Sequence, residues 1–202
     1  MKHILHYIFI LVLFCQITNA QETEQGYPDK YRLSVQSGLY KTSYPFADQP
    51  GMFLQAGGGF KINKRFWLNF DIIHAESKGS SRPDNSFNYD IVNTTLWFFM
   101  PNFSTDFTIT PKSVVSATLG GFYLREYRSE PYLDGYTDEA GNYYINAYMS
   151  DETIHDAGLF LSAAYKYRLN NNILIGIQLS GYVQLYLEPE AFMIGPSIEF
   201  RL

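Results

Sequence analysis

From Tyr31 onward, apolar and polar residues alternate one by one along most of the chain. That is the period of a β-strand whose two faces meet different surroundings. The stretch Glu190 to Leu202 shows it most clearly. Ile194, Pro196, Ile198, Phe200 and Leu202 fall on one face, and Met193, Gly195, Ser197, Glu199 and Arg201 on the other. An open sheet edge of this kind invites aggregation in water. A barrel closed in lipid has no edge, and there the polar face turns to the lumen.

Seven further segments read the same way, each near the 9–11 residues that a tilted membrane strand needs. The first, Tyr31 to Lys41, sets Leu33, Val35 and Leu39 outward against Arg32, Ser34, Gln36 and Gly38. In Gly51 to Ile62, Leu54, Ala56, Gly58, Phe60 and Ile62 oppose Gln55, Gly57, Gly59 and Lys61. Phe66 to Ala75 puts Phe66, Leu68, Phe70 and Ile72 against Trp67, Asn69, Asp71 and Ile73. Asn88 to Met100 puts Val92, Thr94, Leu96, Phe98 and Met100 outward against Asn93, Thr95 and Trp97. The fifth, Ser113 to Tyr127, is ambiguous, with Val115, Ala117, Leu119, Gly121 and Tyr123 as the favoured outer set. Asp156 to Arg168 opposes Leu159, Leu161, Ala163, Tyr165 and Tyr167 to Phe160, Ser162, Ala164, Lys166 and Arg168. In Ile173 to Gln184, Ile175, Ile177 and Leu179 oppose Gly176, Gln178 and Ser180.

The connections predict sidedness. Asn63-Lys64-Arg65 and residues 169–172 are short turns, while 42–50, 77–87 and 128–155 read as loops on the opposite, external side. Short periplasmic turns with longer external loops are the asymmetry of outer-membrane barrels. Pro101 to Lys112 stands out as a long periplasmic link. Pro196 stands out because proline cannot donate to a ladder and marks a bulge or an unpaired position. The expectation is an all-β, eight-stranded, antiparallel up-and-down transmembrane barrel over residues 31–202.

The N-terminus adds an address. Lys2, the apolar run Ile8 to Phe14 and Thr18-Asn19-Ala20 form a secretory signal peptide cleaved after residue 20. Residues 21–30 are then a short periplasmic segment. Cys15, the one cysteine, has Phe14 before it where a lipoprotein signal wants a small residue. With the leader gone, 182 residues remain without cysteine, so disulfide and thiolate metal sites are excluded. Loss of Lys2 moves the net charge from −5 to −6. That acidity, with no basic run, disfavours nucleic acid. Aromatic residues make up 17% of the chain, which suits a barrel with aromatic girdles.

The leader, the eight alternating segments and the end Ser197-Ile198-Glu199-Phe200-Arg201-Leu202 resemble small outer-membrane β-barrel proteins of Gram-negative bacteria. The Tyr/Asn-rich strands and the sixth strand opening Asp156-Ala157-Gly158-Leu159 are similar to the porT-like barrel family common in Bacteroidetes. The family usually ends on an aromatic residue; here Phe200 sits two residues in and Leu202 is last. The resemblance implies a monomer in the outer membrane of the cell envelope. It also implies contact with membrane lipid and lipopolysaccharide, and with the barrel-assembly machinery during biogenesis.

Candidate sites follow from the faces. The expected lumen carries Arg32, Lys61, Asp71, Lys166, Arg168, Glu199 and Arg201, among Gln36, Gln55, Asn69, Asn93 and Gln178. Eight strands leave an interior that side chains can fill. These groups therefore read as a polar network that holds the barrel closed, and alternatively as a narrow ion or solute path. The segment Ser129 to Glu152 holds Glu130, Asp134, Asp138, Glu139, Asp151 and Glu152 with no Lys or Arg, and Tyr132, Tyr136, Tyr143, Tyr144 and Tyr148. It reads as a hairpin with its tip at Asp138 to Asn142. Tyrosine supplies rigid contact area for a partner, and the carboxylates could hold Ca²⁺ but lack EF-hand spacing.

No motif for haem, flavin or any other cofactor is present. His74-Ala75-Glu76-Ser77 invites comparison with lipid A-modifying enzymes, but neighbouring strand residues point to opposite faces, and a nucleophile must reach its base. The expected role is a non-enzymatic, membrane-anchored scaffold with external loops for binding or adhesion. The competing roles are a narrow porin-like channel, a lateral conduit for small apolar molecules, and a lipid A-modifying enzyme. A soluble lipocalin-type barrel is disfavoured: its Gly-x-Trp motif is replaced by Gly38-Leu39-Tyr40.

Overall fold

The computed structural model describes residues 30–42, 49–63, 65–81, 89–185 and 189–202. The predicted leader and the segment 21–29 lie outside that description. Eight strands run β1 (Tyr31–Thr42), β2 (Gly51–Lys61), β3 (Phe66–Ser81), β4 (Tyr89–Thr110), β5 (Ser113–Thr137), β6 (Tyr143–Arg168), β7 (Ile173–Gln184) and β8 (Pro189–Arg201). Each pairs antiparallel with the next, and β8 pairs back on β1 to close the barrel. No edge remains along the closed wall.

Local chemistry fixes the short turns. Asn63 Oδ1 accepts the amides of Arg65 and Phe66 at 2.9 and 3.0 Å, and Asn170 Oδ1 accepts those of Asn172 and Ile173 at 2.9 Å each. Both are Asx turns, in which a side chain replaces a backbone acceptor. At the far end of β5–β6, Asp138 Oδ1 accepts the amides of Ala140 and Asn142, and Gly141 takes a φ of 86°. Glycine is the residue that adopts this conformation without cost.

Several strands are longer than the sequence pattern predicts. β3 continues past Ala75 to Ser81, and β5 and β6 continue to Thr137 and back from Tyr143. The expected long link 101–112 is instead the lower half of β4, closed by a two-residue turn at Pro111-Lys112. Its alternation of Asn102, Ser104 and Asp106 with Phe103, Thr105 and Phe107 is itself a strand pattern.

The faces of β4 are the reverse of expectation. Leu96, Phe98 and Met100 are wholly buried inside, and Asn93 is exposed on the outer face, so it leaves the lumen set. Both faces of β4 are apolar here, with Trp97 and Phe99 on the other side, so alternation alone carries no direction. β5 has the favoured register, with Val114, Ser116, Phe122 and Leu124 inside.

Pro196 and Pro101 each sit beside a break in a ladder. The β1–β8 register runs to Gln36↔Ser197 and resumes at Leu39↔Ile194, leaving out Pro196. The β4–β5 register likewise skips Pro101. At the first break the backbones of β1 and β8 press together, and a Cβ on Gly38 or Gly195 would overlap the opposite strand's carbonyl oxygen.

Register also fixes the tilt. From Arg32, successive partners are Gly59, Asn69, Asn102, Gly120, Phe160, Tyr182 and Ala191, and the path returns to β1 at Thr42. A row of partners therefore climbs toward the external end as it crosses the sheet, the stagger a closed barrel requires.

Candidate functional site

The lumen has two layers. In the half nearest the short turns, Glu199 Oε2 lies 2.5 Å from Lys166 Nζ and 3.6 Å from Arg32 Nη1, and Glu199 Oε1 accepts from Arg201 Nε at 2.7 Å. Arg201 Nη2 reaches Asp106 Oδ2 at 2.7 Å, and Ser116 Oγ donates to Asp106 Oδ1 at 2.7 Å. Arg32 Nε donates to Asn69 Oδ1 at 2.8 Å, and its Nη2 bonds Ser104. Asn69 Nδ2 donates to Asn102 Oδ1 at 2.7 Å, and Asn102 Nδ2 donates to Asp71 Oδ2 at 2.6 Å. The guanidinium carbons of Arg32 and Arg201 lie 4.7 and 5.5 Å from the Trp67 ring centroid, with Lys61 Nζ at 5.6 Å. Buried charges persist only with partners, and here each has at least one.

Five of the seven lumen candidates, Arg32, Asp71, Lys166, Glu199 and Arg201, thus meet in one network. Lys61 touches it only through Trp67. Arg168 stands at the periplasmic rim, where its amide donates to the Lys112 carbonyl at 2.8 Å. Asn102, Ser104 and Asp106, all within the segment expected as a periplasmic link, are full members. Gly57 and Gly59 make the room, since a Cβ on either would overlap the Asp71 or Asn69 side chain.

Above this layer an apolar cluster fills the lumen, with Ser77, Thr94 and the Glu126–Arg128 pair inside the wall toward the external end. Tyr40, Phe53, Ile73, Leu96, Phe98, Met100, Phe122, Leu124, Phe160, Tyr182 and Met193 pack into one buried cluster. Phe98, Phe122, Phe160 and Tyr182 form its aromatic centre, with ring centroids 5.1 to 5.8 Å apart. Such offset and edge contacts pack a small barrel solid.

The outer face is the opposite case. Leu33, Leu54, Phe70, Leu119, Leu161, Ile177 and Ile194 are each about half exposed and form a continuous apolar band. A soluble monomer rarely shows an apolar surface of that extent. A lipid-facing barrel requires it, and Tyr31, Phe60, Phe66, Tyr165 and Phe200 supply exposed aromatics toward its periplasmic margin.

Beyond the barrel, β5 and β6 go on as a two-stranded ribbon. The last described rung to β4 is Asn93↔Ser129 and the last to β7 is Gly158↔Gln184, but β5–β6 pairing continues to Thr137↔Tyr143. Asp134, Tyr136, Tyr144 and Tyr148 share the face that continues the lumen wall, and Tyr136 stacks on Tyr144 at 5.3 Å. Tyr143 lies on the other face with Ile145 and Met149, its phenol folded over Gly135. Asp138 and Glu139 are at the tip. Hydrogen bonds from the Asn142 side chain and amide hold the Asp138 carboxyl below the usual carboxylate range. Tyr132 is placed only through its backbone pairing with Tyr148; its side chain lies outside the described residues. Among the described residues, no three His, Asp or Glu side chains converge as a metal site.

His74 and His155 lie on the outer face of the barrel. His74 Nε2 is 3.1 Å from Glu76 Oε1, and its ring is 4.5 Å from Trp97. Ser77 points inward and is buried, so it shares no face with that pair.

No protein-family model and no curated protein matches the chain in sequence. Solved structures do match in shape. Neisserial surface protein A is 15% identical, with 85% of this chain and 97% of that one covered and a TM-score of 0.51. The outer membrane protein OprG from Pseudomonas aeruginosa is 10% identical, with 86% and 98% covered and a TM-score of 0.52. The fold is therefore the antiparallel up-and-down eight-stranded barrel of small outer-membrane proteins.

Proposed function

We propose that this chain is a non-enzymatic outer-membrane anchor that presents the β5–β6 ribbon as a binding surface. The observation that carries the reading is the ribbon itself. The closed wall stops near Ser129 and Gly158, while the two strands continue unbroken to Thr137 and Tyr143. Ordered strands of that length are costly to hold in water without a use. Exposed, stacked tyrosines give large, rigid contact area. Six carboxylates between Ser129 and Glu152, with no cation among them, favour cationic or neutral partners over polyanions.

The apolar band supports membrane residence, and the leader Lys2 to Ala20 supports export. The Tyr/Asn-rich strands and Asp156-Ala157-Gly158-Leu159 support kinship with the porT-like barrels. The packed lumen weighs against a channel. The separation of Ser77 from His74 and Glu76 weighs against a hydrolase.

The test is a chain in which Glu130 and Ser150 are joined by Asn-Gly, displayed beside the full-length protein on a heterologous outer membrane. Both keep the heat-dependent gel mobility of a closed barrel, and only the full-length chain binds an array of surface glycans and matrix proteins. Equal binding by both refutes the ribbon as the binding surface. Stepwise conductance of the purified protein in a planar bilayer refutes the scaffold role in favour of transport.

A further inference from the structure

On the outer face, His74, Trp97, Arg125 and His155 are successive cross-strand partners on β3, β4, β5 and β6. One row lower stand Ile72, Phe99, Tyr123 and Ala157; one row higher stand Glu76, Thr95, Tyr127 and Thr153. The surface thus changes from apolar to polar at one register row on four adjacent strands. Because rows climb toward the external end, His74 marks the acyl boundary while Arg125 and His155 reach head-group level.

Arg125 and His155 form a built pair at that level. The Arg125 guanidinium carbon lies 4.7 Å over the Tyr127 ring. Tyr123 Oη is 2.6 Å from His155 Nδ1, with the two rings stacked at 5.9 Å. With Tyr123 donating to Nδ1, the ring proton sits on Nε2, which is then the outward donor. Arg32, Arg128 and Arg201 each face a carboxylate; among the described residues none ion-pairs with Arg125. The flanking positions on the same outer face are Tyr123, Tyr127, Thr153 and Ala157, none of them acidic, while Glu126 and Asp156, next in sequence, fall on the lumen face. An arginine fork with stacking support and no internal anion is suited to an external phosphate.

We propose that Arg125 and His155 bind the phosphate of an anionic lipid head group in the outer leaflet, its acyl chains lying along Leu159, Leu161 and Leu119 below. The site gives the barrel a preferred lipid and fixes the height and rotation at which the ribbon stands. It rests on the membrane part of the proposed function and is independent of what the ribbon binds.

The test places the full mature chain in phosphatidylcholine bilayers and compares spin-labelled phosphatidic acid with spin-labelled phosphatidylcholine at the protein surface. Heat-dependent gel mobility is read first on each sample. A wild-type chain that does not insert as a closed barrel overturns the membrane reading itself. In an inserted barrel, the wild type prefers phosphatidic acid by about tenfold, the weight of one charge-assisted contact. Arg125→Gln with His155→Gln abolishes the preference, and Lys112→Gln at the opposite rim keeps it. No preference in the wild type, or an undiminished one in the double variant, overturns the proposal. Loss of the preference in inorganic phosphate but not in chloride of equal ionic strength also overturns it, because the site then takes free phosphate.

Discussion

Replacing Glu199 by Gln keeps the volume of the side chain and removes one charge from the centre of the lumen. Glu199 faces Lys166 at 2.5 Å, Arg201 at 2.7 Å and Arg32 at 3.6 Å. Asp106 and Asp71 are the remaining acids of the layer, so the substitution leaves three cations against two carboxylates. Breaking a buried ion pair from one side costs about 3–5 kcal/mol, because the partner stays buried and uncompensated. With a urea slope of about 2–3 kcal/mol per molar, the unfolding midpoint falls by about 1–2.5 M. The assay is urea unfolding in lipid vesicles in a Trp97→Phe background, so that Trp67, beside Arg32 and Arg201, is the only tryptophan. Adding Lys166→Met restores the charge balance and recovers most of the loss, as apolar replacement of whole buried pairs does elsewhere. A loss below about 0.5 kcal/mol, or additive effects of Glu199→Gln and Lys166→Met, refutes the reasoning and means that water reaches these charges.

Two further outcomes follow from local geometry. Gly195→Val prevents closure, since its Cβ overlaps the Ser37 carbonyl oxygen where β1 and β8 meet, and the unboiled protein runs as the unfolded band on a denaturing gel. At the ribbon tip, Asp138 holds the amides of Ala140 and Asn142 with a lowered pKa. Its contribution is therefore complete above the ordinary value of 3.8 and is lost only as pH falls through the lower folded value. NMR of the two amide protons shows a shared titration centred below pH 3.8, which Asp138→Asn abolishes; a midpoint at or above 3.8 contradicts the tip geometry.

Most of the barrel is legible in the sequence because lipid outside and charge inside impose opposite chemistries on alternate residues. β2, β7 and β8 carry glycine, glutamine, serine or charge on one face and aliphatic or aromatic side chains on the other, so period and direction are both readable. β4 carries no such contrast. Its inner residues Leu96, Phe98 and Met100 fill the apolar layer, its outer residues meet lipid, and the two faces look alike. The same uncertainty hides Asn102, Ser104 and Asp106, whose membership of the network depends on knowing that β4 runs on past Pro101. Ribbon length was hard to read for a different reason: above the membrane neither face is buried, so no burial contrast marks the strands.

The unbroken pairing of β5 with β6, from Ser113↔Tyr167 at the periplasmic turn to Thr137↔Tyr143, has a mechanical meaning. Twenty-five residues of extended chain span about 80 Å, well over twice the hydrocarbon thickness. A pull on the tip along the strands loads the rungs together in shear, and the barrel wall shares that load because both strands are staves of it. A sideways push meets a lever whose fulcrum is the rim at Ser129 and Gly158. The ribbon is to the barrel what a mast is to the deck it is stepped through: load at the tip is carried by the whole wall.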